Sequence, residues 1–129
     1  MEMDERMIGE ELARTVAALR KLRAPLLPGE MDLHRLIEER LTEEGIPFNH
    51  EARLQPGCRI DFLCGGVGIE TKRGRPERGK ILRQLQRYAG CEPVDALILV
   101  TERTVLLPDR IGGKPLRTVC LNRLWGIAL

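Results

Sequence analysis

Asp61 and Glu70 flank a stretch that reads as two short strands hinged at Gly65-Gly66, and these carboxylates are the side chains of this 129-residue sequence best placed for chemistry. A Gly-Gly pair between β-favouring runs signals a two-residue hairpin, because both glycines accept the positive φ that such turns need. In that register Cys64 faces Val67, Phe62 faces Ile69 and Asp61 faces Glu70. Like charges directly opposite on a sheet repel at about 5 Å. A bound cation removes that cost, and two hard oxygen donors suit Mg²⁺ or Mn²⁺ better than zinc, which favours His and Cys. Lys72 falls on the same face two residues beyond Glu70, where an ammonium can orient a water or stabilise charge growing on a phosphate. The competing reading is a solvated acid pair neutralised by Arg59 and Lys72.

A second signal lies just downstream. Lys72, Arg73, Arg75, Arg78, Lys80, Arg83 and Arg87 face only Glu77, although the whole chain carries a net charge of just +2. Bases around a helix N-terminus neutralise phosphates without reading sequence, so DNA binding through Arg73, Arg75 and Arg78 first, then Lys80 and Arg83, is expected to weaken steeply with salt. Aromatics make up 3% of the chain, which leaves little for base stacking.

Upstream, Glu30 falls within the inward stripe of a helix, where an acid needs a partner or a metal; a first-turn Glu is also favoured simply by the helix dipole. Glu38 and Glu39 lie outside the stripe and read as solvated. His34 and His50 have no metal-ligand spacing to each other or to a cysteine, so both are assigned structural or surface roles. The four cysteines are far apart with no C-x-x-C spacing, and read as reduced core thiols.

The elements that must position these groups follow from periodicity. Residues 4 to 24 form a helix with Ile8, Leu12, Val16, Leu19 and Leu22 on one face, which packs on the body or on a second copy; a homodimer stays open. A second helix runs from 30 to 44, closed by Gly45. A strand from 48 to 54 leads into the hairpin. Cys58, Ile60, Phe62, Val67, Ile69 and Thr71 are expected on its core face, with Asp61, Glu70 and Lys72 on the other. A helix over 77 to 89 buries Ile81, Leu85 and Tyr88, with Gln84 one turn before Tyr88. The run Ala96 to Val100 within 94 to 101 reads as a central strand covered on both faces, completing a right-handed β-α-β crossover. A loop over 107 to 115 precedes a strand over 116 to 121, and Trp125 closes the core.

Length and a hydrophobic content of 43% give one α/β domain: an N-terminal helix and linker (1–29), a core (30–101) and a C-terminal loop and strand (102–129). No apolar signal core and no run of membrane-spanning length is present, so a cytoplasmic protein with no membrane partner is expected.

Asp61 followed by Glu70-Thr71-Lys72 resembles the core motif of the PD-(D/E)xK nuclease superfamily, with Ile60 standing where the family name has proline. Gln84-x-x-x-Tyr88 is similar to the Q-x-x-x-Y element of its RecB-like members, although the cysteine cluster that some of those use for iron and sulfur is missing. The compactness is similar to virus-type replication-repair nucleases and archaeal junction resolvases. The resemblance spans roughly residues 30 to 101. It implies a restriction-endonuclease-like core, with a mixed sheet flanked by helices, and a metal-dependent DNA nuclease acting as an endonuclease, branched DNA included. It further implies Mg²⁺ or Mn²⁺ held by Asp61, Glu70, the Thr71 carbonyl and Glu30, with Lys72 catalytic and Gln84 positioning the phosphate or the lysine. The alternative is a catalytically inactive DNA-binding or assembly subunit on the same fold; a protein-interaction domain using the N-terminal helix is a third reading.

Overall fold

Ala96–Thr101 is the most deeply buried strand, every residue of it closed to solvent, because an unbroken apolar run can satisfy layers on both faces. The structure, a computed structural model, describes residues 4–24 and 32–126; Glu30 lies outside the described residues. The elements in chain order are α1 (Glu5–Leu19), α2 (Leu33–Glu43), β1 (Asn49–Gln55), β2 (Cys58–Cys64), β3 (Val67–Lys72), α3 (Arg78–Ala89), β4 (Ala96–Thr101), β5 (Arg110–Ile111), β6 (Lys114–Cys120) and α4 (Leu121–Leu124). The six strands form a mixed sheet in the order β1-β2-β3-β4-β6-β5. β1, β2 and β3 pair antiparallel, β3 with β4 and β4 with β6 pair parallel, and β5 folds back on β6.

Helices cover both faces. Leu12 and Leu19 of α1 and Leu33, Ile37 and Leu41 of α2 pack with Phe62, Ile69, Ile98 and Val100. Ile81, Leu85 and Tyr88 of α3 pack with Ile60, Leu97, Leu99 and Leu116 on the opposite side. Each fully buried Leu, Ile or Phe side chain contributes about 1.5–3 kcal/mol through surface withdrawn from water. Trp125 joins the α1/α2 layer as expected, its Nε1 donating to the Leu22 carbonyl at 2.9 Å. No helix among the described residues is long and apolar enough to cross a membrane. All four cysteines are free thiols, three of them buried.

Three local expectations change. α1 ends at Leu19 in a turn instead of running to residue 24. The loop before the last strand contains β5, joined to β6 by Gly112-Gly113, whose positive φ values of 56° and 78° suit a tight hairpin. Most consequential, β2 does not keep one face to the core: Cys58 and Ile60 lie in the α3 layer, whereas Phe62 and Cys64 lie in the α1/α2 layer. The alternation is interrupted at Asp61.

Candidate functional site

The Gly65-Gly66 hairpin forms in the expected register, with Cys64 opposite Val67, Leu63 opposite Gly68 and Phe62 opposite Ile69. The next position sets Asp61 beside Glu70, and there side chains replace the backbone ladder. The Asp61 N–H donates to Glu70 Oε1 at 3.3 Å, while Thr71 donates its N–H at 2.8 Å and its hydroxyl at 2.7 Å to Asp61 Oδ2. On the other flank, Glu51 sits between the pairs His50–Phe62 and Ala52–Ile60 with a φ of 50°, a left-handed conformation that bends β1 alongside the same irregularity. The β2–β3 ladder thus gives way beyond Phe62–Ile69 to a gap, in which the Glu70 carboxylate turns to the Asp61 N–H and the Asp61 carboxylate to Thr71, instead of both standing on one flat outer face. His34 and Thr71 approach Asp61 from the α2 side, and Tyr88 approaches Glu70 from the α3 side.

Glu70 is the more enclosed acid, at 4% exposure. Lys72 Nζ lies 3.4 Å from its Oε2, and the Tyr88 hydroxyl lies 3.2 Å from the same oxygen. Burial first, then the charge of Asp61, push the Glu70 carboxyl up to about 7, against the opposing pull of Lys72 and the Asp61 N–H. Burial and the nearby Glu70 charge also push the Tyr88 phenol up, so it stays protonated as a donor. Gln84 Nε2 donates to that phenol at 2.9 Å, and the phenol reaches the Arg59 carbonyl at 2.9 Å. Gln84 thus acts on Glu70 through Tyr88, where the sequence pointed to the lysine or a phosphate.

The two histidines, expected in structural or surface roles, stand at the edge of this site. His34 Nε2 lies 2.9 Å from Thr71 Oγ1 and 3.5 Å from Asp61 Oδ2. His34 Nδ1 meets His50 Nε2 at 2.8 Å, and His50 Nδ1 meets Glu38 Oε1 at 3.0 Å, so Glu38 is tied into the site instead of being merely solvated. His34 occupies the first turn of α2, where the Asp32 side chain caps its N–H at 3.1 Å; His50 is carried by β1 opposite Phe62 and stacks on that ring at 4.8 Å. The one signal for this in the sequence was the i,i+4 pair His34 and Glu38, whose link to His50 needs the β1–β2 register.

The basic segment borders the same gap. A cavity of about 240 Å³ is lined by Lys72, Arg73, Arg75, Glu77, Lys80 and Gln84, over Pro76 and Ile81. Arg73 is held by Glu102 at 3.2 Å, Lys80 by Glu77 at 3.2 Å, and Arg78 Nε by the Leu106 carbonyl at 2.7 Å. Arg75 and Arg83 are exposed. Comparison with protein-family models, curated proteins and solved structures finds no match for this chain, so the chemistry of the site rests on its own geometry.

Proposed function

We propose that this protein is a metal-dependent DNA nuclease, with a restriction-endonuclease-like core, that hydrolyses internal phosphodiester bonds of duplex or branched DNA. The observation that carries the reading is the acid pair of partly exposed Asp61 and buried Glu70, linked through the Asp61 N–H at a break in the sheet, with the Lys72 ammonium beside Glu70 and a cavity of predominantly basic lining next door. Two carboxylates against Lys72 leave a deficit of positive charge, and the charge of Asp61 adds to burial, the larger cause, in pushing the Glu70 carboxyl up. A divalent cation fits the deficit. Among the described residues no three His, Cys, Asp or Glu side chains are already gathered into a metal cage.

Asp61 and Glu70 would hold the ion, with His34 Nε2 at the same corner. When bound, Mg²⁺ or Mn²⁺ would polarise the scissile phosphate and acidify a water. Lys72 stands within reach of Glu70 Oε2 and would stabilise charge on the phosphate. Tyr88 and Gln84 hold Glu70 from behind, and Thr71 orients Asp61 by two hydrogen bonds. Arg75 and Lys80 supply cations for flanking phosphates. Free thiols agree with a reducing, cytoplasmic setting, and a homodimer would give paired cuts.

Incubation of supercoiled, linear and four-way-junction DNA with Mg²⁺ or Mn²⁺ tests the proposal. Cleavage that stops on chelation supports it. DNA binding without cleavage under any divalent ion would leave the inactive binding subunit. Binding is expected to weaken as salt rises, with a log-log slope reduced by about one for each of Arg75→Ala and Lys80→Ala; an unchanged slope would remove the cavity from the DNA path.

A further inference from the structure

A groove of about 710 Å³ runs along α1 from Glu5 to Arg20, with the β5–β6 hairpin as its other wall. Leu12 is buried in its floor and Ile8 and Val16 are half-buried there, whereas Gly9, Ala13 and Ala17 are exposed and too small to obstruct it. The groove lies away from the acid pair. Asp95, directly before β4, and Lys114 and Pro115, at the start of β6, line it, while Glu70 to Lys72 lie at the opposite end of the parallel strands. Charge on its walls is one-sided, with Arg20, Arg110, Lys114 and Arg117 against Glu5 and Asp95. The donors of these bases go to backbone carbonyls: Arg110 to Gly113, Lys114 to Val94 and Cys91, Arg117 to Leu116 and Asp109. A carbonyl satisfies a donor without cancelling its charge.

We propose that this groove docks an acidic amphipathic helix of a partner protein, its apolar stripe laid against α1 and its carboxylates beside Arg20, Arg110 and Arg117. From Glu5 to Arg20 the groove extends about 22 Å at the rise of an α-helix, an elongated seat that suits a helix better than a compact small molecule. Burial of the stripe holds the partner, while the charge pairs set its orientation and exclude basic competitors. Duplex DNA presents phosphates and sugars, which gain nothing from an apolar floor, and no aromatic lines the groove for the bases of a single strand to stack on. A second copy laid groove to groove would oppose bases with bases. This inference stands apart from the nuclease reading.

The test uses the full-length protein and two synthetic helices of about 18 residues. Both carry leucines at i, i+3, i+4 and i+7 spacing, flanked by glutamates in one and by lysines in the other. In fluorescence anisotropy the glutamate helix is expected to bind, less tightly as salt rises, and the lysine helix to bind about 10-fold or more weakly. Amide shifts in ¹H–¹⁵N spectra are expected to concentrate in α1 and β5–β6. Arg20, Ala13 and Arg117 are exposed, so the fold tolerates changes there. Arg20→Glu combined with Arg117→Glu is expected to reverse the preference, and Ala13→Gln, still a good helix former, to weaken both helices by filling the groove. Equal affinity for the two helices, binding of neither, or shifts centred elsewhere would overturn the proposal. So would self-association that Ala13→Gln abolishes, which gives the groove to a second copy, or duplex DNA that displaces the glutamate helix from α1, which gives it to nucleic acid.

Discussion

Glu70→Ala and Lys72→Ala are each expected to slow divalent-dependent DNA cleavage by a factor on the order of 10²–10³, the loss that follows removal of one preorganised electrostatic group from a reacting centre. DNA affinity at fixed salt should stay within a few fold, because neither side chain is among the exposed bases that carry the phosphate attraction. Glu70 is fixed by the Asp61 N–H, Tyr88 and Lys72 together, so the alanine variant loses the proposed cation ligand and also uncouples Lys72. The measurement is single-turnover cleavage alongside binding by the same preparations. Equal cleavage by wild type and both variants would remove these residues from catalysis.

The second large effect is on stability. In the folded protein Glu70 titrates at about 7, against an ordinary value of 4.5, chiefly because it is buried and secondly because Asp61 is charged. Below about 4.5 the carboxyl is neutral in both the folded and the unfolded chain and folding carries no charge penalty. Between about 4.5 and 7 the folded chain keeps a proton that the unfolded chain has released. Stability contributed by the neutral acid is therefore lost as pH climbs through that window, approaching about 3 kcal/mol at pH 8. Glu70→Gln is neutral throughout. In the presence of a chelator it is expected to denature at higher urea than wild type at pH 8, with the gap closing toward pH 5. A gap independent of pH would mean that Glu70 is not the titrating group. Adding Mn²⁺ should flatten the wild-type dependence, since a cation supplies the charge the acid pair lacks.

Much of the frame was legible because it is local. Gly65-Gly66 fixes the hairpin register by itself, and the apolar run 96–100 can only be a strand covered on both faces. Gln84 and Tyr88 meet because they are four residues apart on a helix. What escaped depends on geometry that period-two alternation assumes away. Alternation puts Ile60 and Phe62 on one face, yet the break at Asp61, beside the left-handed Glu51, sends them into different layers. The histidines escaped for a related reason: their contact joins the first turn of α2 to the middle of β1, and its alignment is set by strand pairing that no short-range spacing encodes.

That two acids share one ion at the β2–β3 gap is tested most directly by crystals soaked in Mn²⁺ with anomalous diffraction recorded. A single peak bridging the carboxylates of Asp61 and Glu70, with the His34 ring beside it, is the predicted result. A well-ordered crystal in which Mn²⁺ occupies other positions, or none, while that gap holds only the side chains themselves would contradict it.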